Sequence, residues 1–166
     1  MTEQRTLVGS VRDVGGKGTV RMEDRFATGI DDLWLALTDP ARLARWIGTV
    51  EGDLRLGGEF RARFTSTWEG GGRVDTCDPP RRLLVTLGDE EGETVVEAEL
   101  TPDGEHTRLV VEERGFPLNV VAAHGAGWQA HIEDLEAYLT GRPAGNWLAR
   151  WKELSPAYTD QAASLG

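Results

Sequence analysis

Apolar and polar side chains alternate along much of this chain, and a period of two predicts half-buried β-strands. In residues 19–27, Val20, Met22 and Phe26 share one face, and Asp24 is the polar exception on that face. Similar runs, separated by turns rich in Gly, Asp and Pro, occur at 60–64, 73–77, 83–87, 94–100 and 109–111. Because short turns join neighbouring runs, we expect the strands to pair antiparallel in one sheet.

The period changes to that of a helix after the first of these strands. The Asp39-Pro40 pair ends one short helix, since proline cannot continue it, and can begin a second, since proline is favoured at the first helical position. The buried positions of these two helices are Leu33, Trp34, Leu37, Leu43, Trp46 and Ile47.

A long helix is predicted for residues 118–140, where apolar positions recur at helical spacing until Gly141. Its buried stripe includes His124, Trp128 and His131, and its opposite, exposed face carries Gln129, Glu133 and Glu136. A twisted sheet that curls around such a helix leaves a space between the helix and its concave face. Whether that space is filled core or a ligand cavity is the functional question.

Net charge and cysteine content narrow the range of partners. The 166 residues carry a formal charge of −10, so nucleic acid and anionic membranes are poor partners because charge repulsion opposes both. Cys77 is the single cysteine, which excludes an intrachain disulfide and a Cys-rich metal site and predicts a cytoplasmic protein. We expect no signal peptide and no membrane-spanning run.

Several segments carry a family resemblance in their order and spacing. They read DLWLALTDP at 32–40, LARW at 43–46, GRV at 72–74, DPPRRL at 78–83 and GW at 127–128, followed by Leu135 and Tyr138-Leu139. Together they resemble the START-like (SRPBCC) superfamily, and within it the branch named for the C-terminal domain of the activator of the Hsp90 ATPase. The matched segments span most of the chain between Val20 and Leu139.

The resemblance implies an α+β helix-grip fold. A curved antiparallel sheet of six to seven strands would wrap around the long C-terminal helix, with two short helices after the first core strand. Residues 19–140 would form this domain, and residues 1–18 an N-terminal extension with an extra strand at 6–14. Residues 141–166 would form a C-terminal extension, in which Trp147 and Trp151 lie on a short helix that ends before Pro156 and packs on the domain.

The resemblance also implies a cavity that receives a hydrophobic or amphipathic small molecule, without implying a reaction. A binding protein without catalytic residues, metal or cofactor is therefore the first interpretation. A cyclase or aromatase, in which a cavity histidine or carboxylate moves protons, is the alternative. A co-chaperone interaction module ranks last, because activators of that class carry an additional N-terminal domain and only about eighteen residues precede the matched core.

The candidate ligand-binding residues are aromatic side chains and histidines placed on the faces that turn toward the cavity. They are Trp34, Trp46, Phe60, Phe64, Trp68, His124, Trp128 and His131. Large aromatics at periodic positions usually fill a core, but in a helix-grip domain the core is the cavity wall. His124 and His131 are roughly 10 Å apart along a helix, too far to share one metal ion, and His124 is the better candidate for the cavity.

The remaining features have plainer interpretations. Arg61 and Arg63 are expected on the solvated face of the sheet, and Cys77 has no local base that would make it a nucleophile. The glycines at 70–72 lack the lysine and hydroxyl of a phosphate-binding loop, which favours a hairpin turn. Asp24 needs either an interior partner or a local bulge. The tail with Trp147 and Trp151 either covers the pocket or joins two subunits in a homodimer.

Overall fold

The computed structural model describes residues 7–90 and 92–165. Its elements are β1 (Gly9–Val14), β2 (Lys17–Phe26), α1 (Ile30–Thr38), α2 (Pro40–Leu43), β3 (Gly48–Gly52), β4 (Glu59–Phe64), β5 (Glu69–Asp78), β6 (Arg82–Asp89), β7 (Gly92–Asp103), β8 (His106–Phe116), a 3₁₀ turn (Leu118–Val120), α3 (Val121–Leu139) and α4 (Trp147–Ala163).

The strands form one curved antiparallel sheet in the order β1-β2-β8-β7-β6-β5-β4-β3. The predicted α+β helix-grip fold, with two short helices after the first core strand, is confirmed. Eight strands are present in the described part of the chain, against the six to seven expected. The sequence does not predict strand β3, because its two end residues, Gly48 and Gly52, are glycines with positive φ and Val50 is its single buried residue.

Helices α1 and α2 lie over one end of the concave face, and side-chain hydrogen bonds hold them there. Asp39 caps α2 by accepting a hydrogen bond from the backbone N–H of Ala41 at 3.1 Å, with Pro40 at the first helical position. The indole N–H of Trp46 donates to the Ala36 carbonyl at 2.8 Å. Arg42 Nε donates to the Tyr138 hydroxyl at 2.8 Å, which connects α2 to α3.

Helix α3 is covered on two sides, by the sheet and by α4. Gln129, expected on its exposed face, is only 1% exposed because α4 lies over it. The buried Tyr158 of α4 donates its hydroxyl hydrogen to Gln129 Oε1 at 2.6 Å. Arg150 of α4 donates to both carboxylate oxygens of Glu133, at 2.7 and 3.0 Å.

The prediction of a short helix ending before Pro156 is wrong, since α4 continues through this proline to Ala163. A proline inside a helix removes one backbone hydrogen bond and crowds the preceding turn. Burial of Leu154 and Tyr158, on either side of the proline, offsets that cost. Tertiary packing therefore extends the helix beyond the point where local propensity would end it.

The glycines at 70–72 lie inside β5, not in a turn, which corrects the sequence interpretation. The β4–β5 connection is made by residues 65–68, where Phe64 N–H donates to the Trp68 carbonyl at 2.9 Å. The ring of Phe60 lies against Gly72, where a Cβ atom would overlap it. A Cβ at Gly70 would lie 2.6 Å from Cζ2 of Trp68. These glycines let aromatic rings lie on the strand itself.

Substituting alanine at two adjacent glycines tests this contact. We expect Gly72→Ala to lower the free energy of unfolding by about 1–3 kcal/mol, because Phe60 must move. Gly71→Ala is the matched control: its Cβ would meet no atom closer than the Phe60 carbonyl oxygen at 3.7 Å, so its stability should be unchanged or slightly raised. Urea denaturation of both variants measures the difference, and equal effects would contradict the proposed contact.

Candidate functional site

A cavity of about 130 Å³ lies between the concave face of the sheet and the helices α1, α2 and α3. The sheet contributes apolar side chains from strands β3 to β8, and the helices contribute the opposite wall. The lining residues are Leu37, Thr38, Leu43, Trp46, Ile47, Val50, Leu54, Phe60, Phe64, Val74, Leu83, Val85, Leu87, Val96, Ala98, Val111 and Trp128.

The polar hydrogens of the lining residues are all engaged elsewhere. The Thr38 hydroxyl donates to the Trp34 carbonyl at 2.8 Å. The indole N–H of Trp46 donates to Ala36, and that of Trp128 donates to Glu113 at 2.7 Å. The surface that the cavity presents to a guest is therefore almost entirely apolar.

The structure places four of the eight candidate residues in this lining: Trp46, Phe60, Phe64 and Trp128. All four also belong to the packed interior, since Trp46 is 5% exposed and Phe60, Phe64 and Trp128 pack against the core cluster. The overlap between core and cavity wall that the sequence led us to expect is visible in these residues.

The other four candidates lie behind the wall or away from it. Trp34 is buried in the core outside the lining, and Trp68 stacks on Phe64 with ring centroids 5.2 Å apart. The Trp68 indole N–H donates to Asp89 Oδ2 at 2.8 Å. His124 stacks on Phe116, the last residue of β8, with ring centroids 4.1 Å apart.

His131 lies directly behind two residues of the cavity wall. Its ring centroid is 6.2 Å from that of Phe64 and 6.1 Å from that of Trp128, both in edge-on contacts, and 5.3 Å from that of Trp147. Burial in this apolar setting lowers the pKa of His131 to about 3, so its imidazole is neutral near pH 7. His131, not His124, is therefore the histidine adjacent to the cavity.

Glu113 is a buried carboxyl group that the sequence interpretation missed. It is 8% exposed and accepts hydrogen bonds from Thr94 Oγ1 at 2.5 Å and from Trp128 Nε1. Desolvation raises its pKa above the ordinary value. The alternation of Leu109 and Val111, continued by two residues, puts Glu113 on the inner face and could have revealed it.

A larger, open groove of about 1210 Å³ lies at the β4–β6 end of the sheet. It is lined by charged side chains and by glycines, among them Arg61, Arg73, Gly71 and Gly88. Arg73 forms an ion pair with Asp75 at 2.7 Å, and Arg61 is exposed, as Arg63 is. These side chains are solvated, as their alternation predicts, and the groove does not enclose a guest.

Asp24 is half-buried on β2 and accepts a hydrogen bond from the backbone N–H of Arg25 at 2.8 Å. Desolvation is the main cause that raises the pKa of its carboxyl group.

Across residues 7–90 and 92–165, no three His, Cys, Asp or Glu side chains come together to hold a metal ion. Within the same ranges, no helix has the length and apolar character needed to span a membrane.

A family model matches residues 27–140, from the end of β2 to the end of α3. The model is that of the Activator of Hsp90 ATPase homolog 1-like protein family. The chain belongs to this family. The match confirms the resemblance drawn from the spaced segments between 32 and 139, within the START-like superfamily.

Solved structures share the fold of this family member. The crystal structure of CalU16 from Micromonospora echinospora is 25% identical with a TM-score of 0.77, covering 93% of this chain and 96% of that one. DynU16, described as a protein in the dynemicin biosynthetic locus, is 32% identical with a TM-score of 0.69, covering 76% of this chain and 49% of that one. EF2215 from Enterococcus faecalis, a protein of unknown function, is 16% identical with a TM-score of 0.78, covering 95% and 92%, which shows the fold alone. A search of curated proteins found no match.

The buried His131 predicts a pH dependence of stability. Its pKa in the folded protein is about 3, and the ordinary value is 6.5. As the pH falls below about 6.5, the imidazole of the unfolded chain binds a proton, while that of the folded protein stays neutral. The free energy of unfolding therefore falls with the pH, by about 1.4 kcal/mol per pH unit at most. We expect the free energy of unfolding of wild type to fall relative to that of His131→Phe by about this amount per pH unit between roughly pH 6 and pH 4.

Urea denaturation at each pH measures this difference. Trp151→Phe is the control, because it alters a neighbouring aromatic contact without removing a titrating group, and its difference from wild type should not change with pH. A His131→Phe difference that is equally constant would show that the imidazole is not desolvated in the folded protein.

Proposed function

We propose that this family member binds a small hydrophobic or amphipathic molecule in the cavity between the sheet and helices α1–α3. One observation carries the proposal: the cavity is lined by apolar side chains whose few polar hydrogens already have partners. An apolar guest displaces no hydrogen bond there and gains the free energy of burying its own apolar surface.

The cavity volume limits what can enter without rearrangement. About 130 Å³ is close to the size of an engineered apolar cavity of roughly 150 Å³ that binds benzene. A guest with one six-membered ring therefore fits, and a larger guest requires wall residues such as Phe60 or Trp128 to move. Pockets for drug-sized ligands are usually about 300–1,000 Å³.

The cyclase or aromatase alternative needs two polar groups that converge on a substrate. Among the lining residues only Thr38 has a hydroxyl group, and it donates to Trp34. Glu113 faces Thr94 and Trp128 and is not part of the lining. Since the described residues place no pair of free polar groups in the cavity lining, binding without chemistry has the better support.

The family description names an activator of the Hsp90 ATPase, which keeps a co-chaperone role as the last alternative. DynU16 comes from a biosynthetic locus, and its 32% identity supports a small-molecule guest for this chain over a chaperone partner.

We further propose a cytoplasmic protein that binds neither nucleic acid nor membrane, on the basis of its charge of −10 and its single cysteine. That the Trp147 and Trp151 region either covers the pocket or joins two subunits of a homodimer stays a prediction.

Filling the cavity tests the proposed function. Val96 lines the cavity, and Val95 projects from the opposite face of the same strand, β7. We expect toluene to change the tryptophan fluorescence of wild type and of Val95→Phe in a saturable manner, because Trp46 and Trp128 line the site. In Val96→Phe the added ring occupies the cavity, so the toluene affinity should fall by about tenfold or more.

Thermal denaturation of both variants checks that each is folded at the temperature of the titration. A saturable response that is equal in Val95→Phe and Val96→Phe would place the binding site elsewhere. No saturable response in wild type would contradict the proposed function.

A further inference from the structure

Two tryptophans line the cavity, and they differ in how firmly packing holds them. Trp46 is 5% exposed and belongs to the hydrophobic core. Trp128 also lines the cavity but is only half-buried, so protein does not enclose its ring on all sides. Packing therefore restrains Trp128 less than Trp46, and the position of its ring depends more on other interactions.

One hydrogen bond joins the Trp128 ring to the sheet. The indole N–H is the single polar hydrogen of this side chain, and it donates to Glu113 Oε1 at 2.7 Å. The second carboxyl oxygen of Glu113, Oε2, accepts from Thr94 Oγ1 at 2.5 Å. Because Glu113 lies on β8 and Thr94 on β7, these bonds tie a wall residue of α3 to two neighbouring strands.

Glu113 occupies a position where an apolar side chain would be less costly. It is 8% exposed and continues the inward-facing series of Leu109 and Val111, which are both buried. Desolvation is the largest influence on the pKa of its carboxyl group and raises it, whereas the hydrogen bonds from Thr94 and Trp128 lower it. A buried carboxyl group is costly unless donors face its oxygens. What this group contributes in return is a fixed position for the Trp128 ring.

The position of that ring limits the space open to a guest. A cavity of about 130 Å³ holds one six-membered ring, so a guest with two fused rings requires a wall residue to move. Movement of Trp128 breaks its bond to Glu113 and leaves a buried carboxyl oxygen without that donor. Breaking such a bond should cost the larger guest about tenfold or more in affinity.

We propose that Glu113 determines the size of the guest by holding the ring of Trp128 in the cavity wall. The inference rests on the proposed function, because it concerns the guest of the same cavity. Glu113 is a positioning residue, since it contacts Trp128 and does not itself line the cavity. It assigns the guest to apolar molecules of one ring and the exclusion of two fused rings to a single hydrogen bond.

Two methylated aromatic hydrocarbons that differ by one fused ring, toluene and 1-methylnaphthalene, test the proposal. Titration of each into ¹⁵N-labelled protein, followed by NMR, gives the two dissociation constants. We expect wild type to bind toluene more tightly. In Glu113→Leu the larger guest has no hydrogen bond to break, so the preference for toluene should fall by about tenfold.

Two further variants are the controls. Glu113→Gln keeps an oxygen that accepts from Trp128 and adds an amide that can donate to Thr94, so most of the preference should return. Glu112→Leu removes a carboxylate from the opposite face of the same strand, where Glu112 pairs with Arg12 at 2.8 Å. Its preference should equal that of wild type.

The indole N–H resonance of Trp128 tests the hydrogen bond without any guest, and the cross-peak that is missing in Trp128→Phe assigns it. We expect this hydrogen to exchange with solvent faster in Glu113→Leu than in wild type or Glu113→Gln. Equal exchange in all three would overturn the inference. If thermal denaturation shows that Glu113→Leu is unfolded at the temperature of the titration, Thr94→Val takes its place, with a smaller loss of preference expected because the acceptor remains.

The titrations separate this inference from the proposed function. Toluene binding with the same preference in wild type and Glu113→Leu would overturn the inference and leave the apolar cavity intact, since another wall residue, such as Phe60, would then admit the larger guest. An equal loss of preference in Glu112→Leu would also overturn it, because the effect would not depend on the bond to Trp128. Failure of both probes to bind wild type would overturn both proposals.

Discussion

The concave face of an eight-stranded sheet must be covered by apolar surface, and this requirement shapes the rest of the molecule. Helix α3 packs against β1 and β2 at one side of the sheet, and α1 and α2 lie over part of the other. Straight helices cannot follow a curved sheet along its whole width. The cavity lies where the three helices leave the sheet, and it is apolar because its walls are the same side chains that bury the core.

Helix α4 reinforces the helical cover of the sheet, because it packs on α3 and forms buried and half-buried hydrogen bonds with it. Tyr158 and Gln129, together with the Arg150–Glu133 ion pair, join the two helices on the side away from the sheet. An ion pair of this kind adds little where it is exposed, but both partners here are less than a quarter exposed, which limits screening by solvent. The position of α3 over the cavity therefore depends on α4 as well as on the sheet.

The sequence predicts the features that repeat and misses those that depend on a distant partner. Alternation and helical spacing gave the sheet, the paired short helices and α3, and four of the eight candidate residues line the cavity. The sequence predicts an exposed Gln129, because the pattern of α3 alone cannot show that α4 covers it. The glycines at 70–72 predict a turn, because the local sequence cannot show that the rings of Phe60 and Trp68 pack against them. Glu113 could be predicted from the sequence by continuing the alternation of Leu109 and Val111 for two more residues along the same strand.

The interior contains both satisfied and unsatisfied polar atoms. Glu113 has two donors, from Thr94 and Trp128, and so stabilises the wall without offering a free atom to a guest. His131 Nδ1 and Trp147 Nε1 are also buried, but neither atom has a partner among residues 7–90 and 92–165. Packing alone does not require a histidine there, since a phenylalanine would make the same edge-on contacts with Phe64 and Trp128 at no desolvation cost.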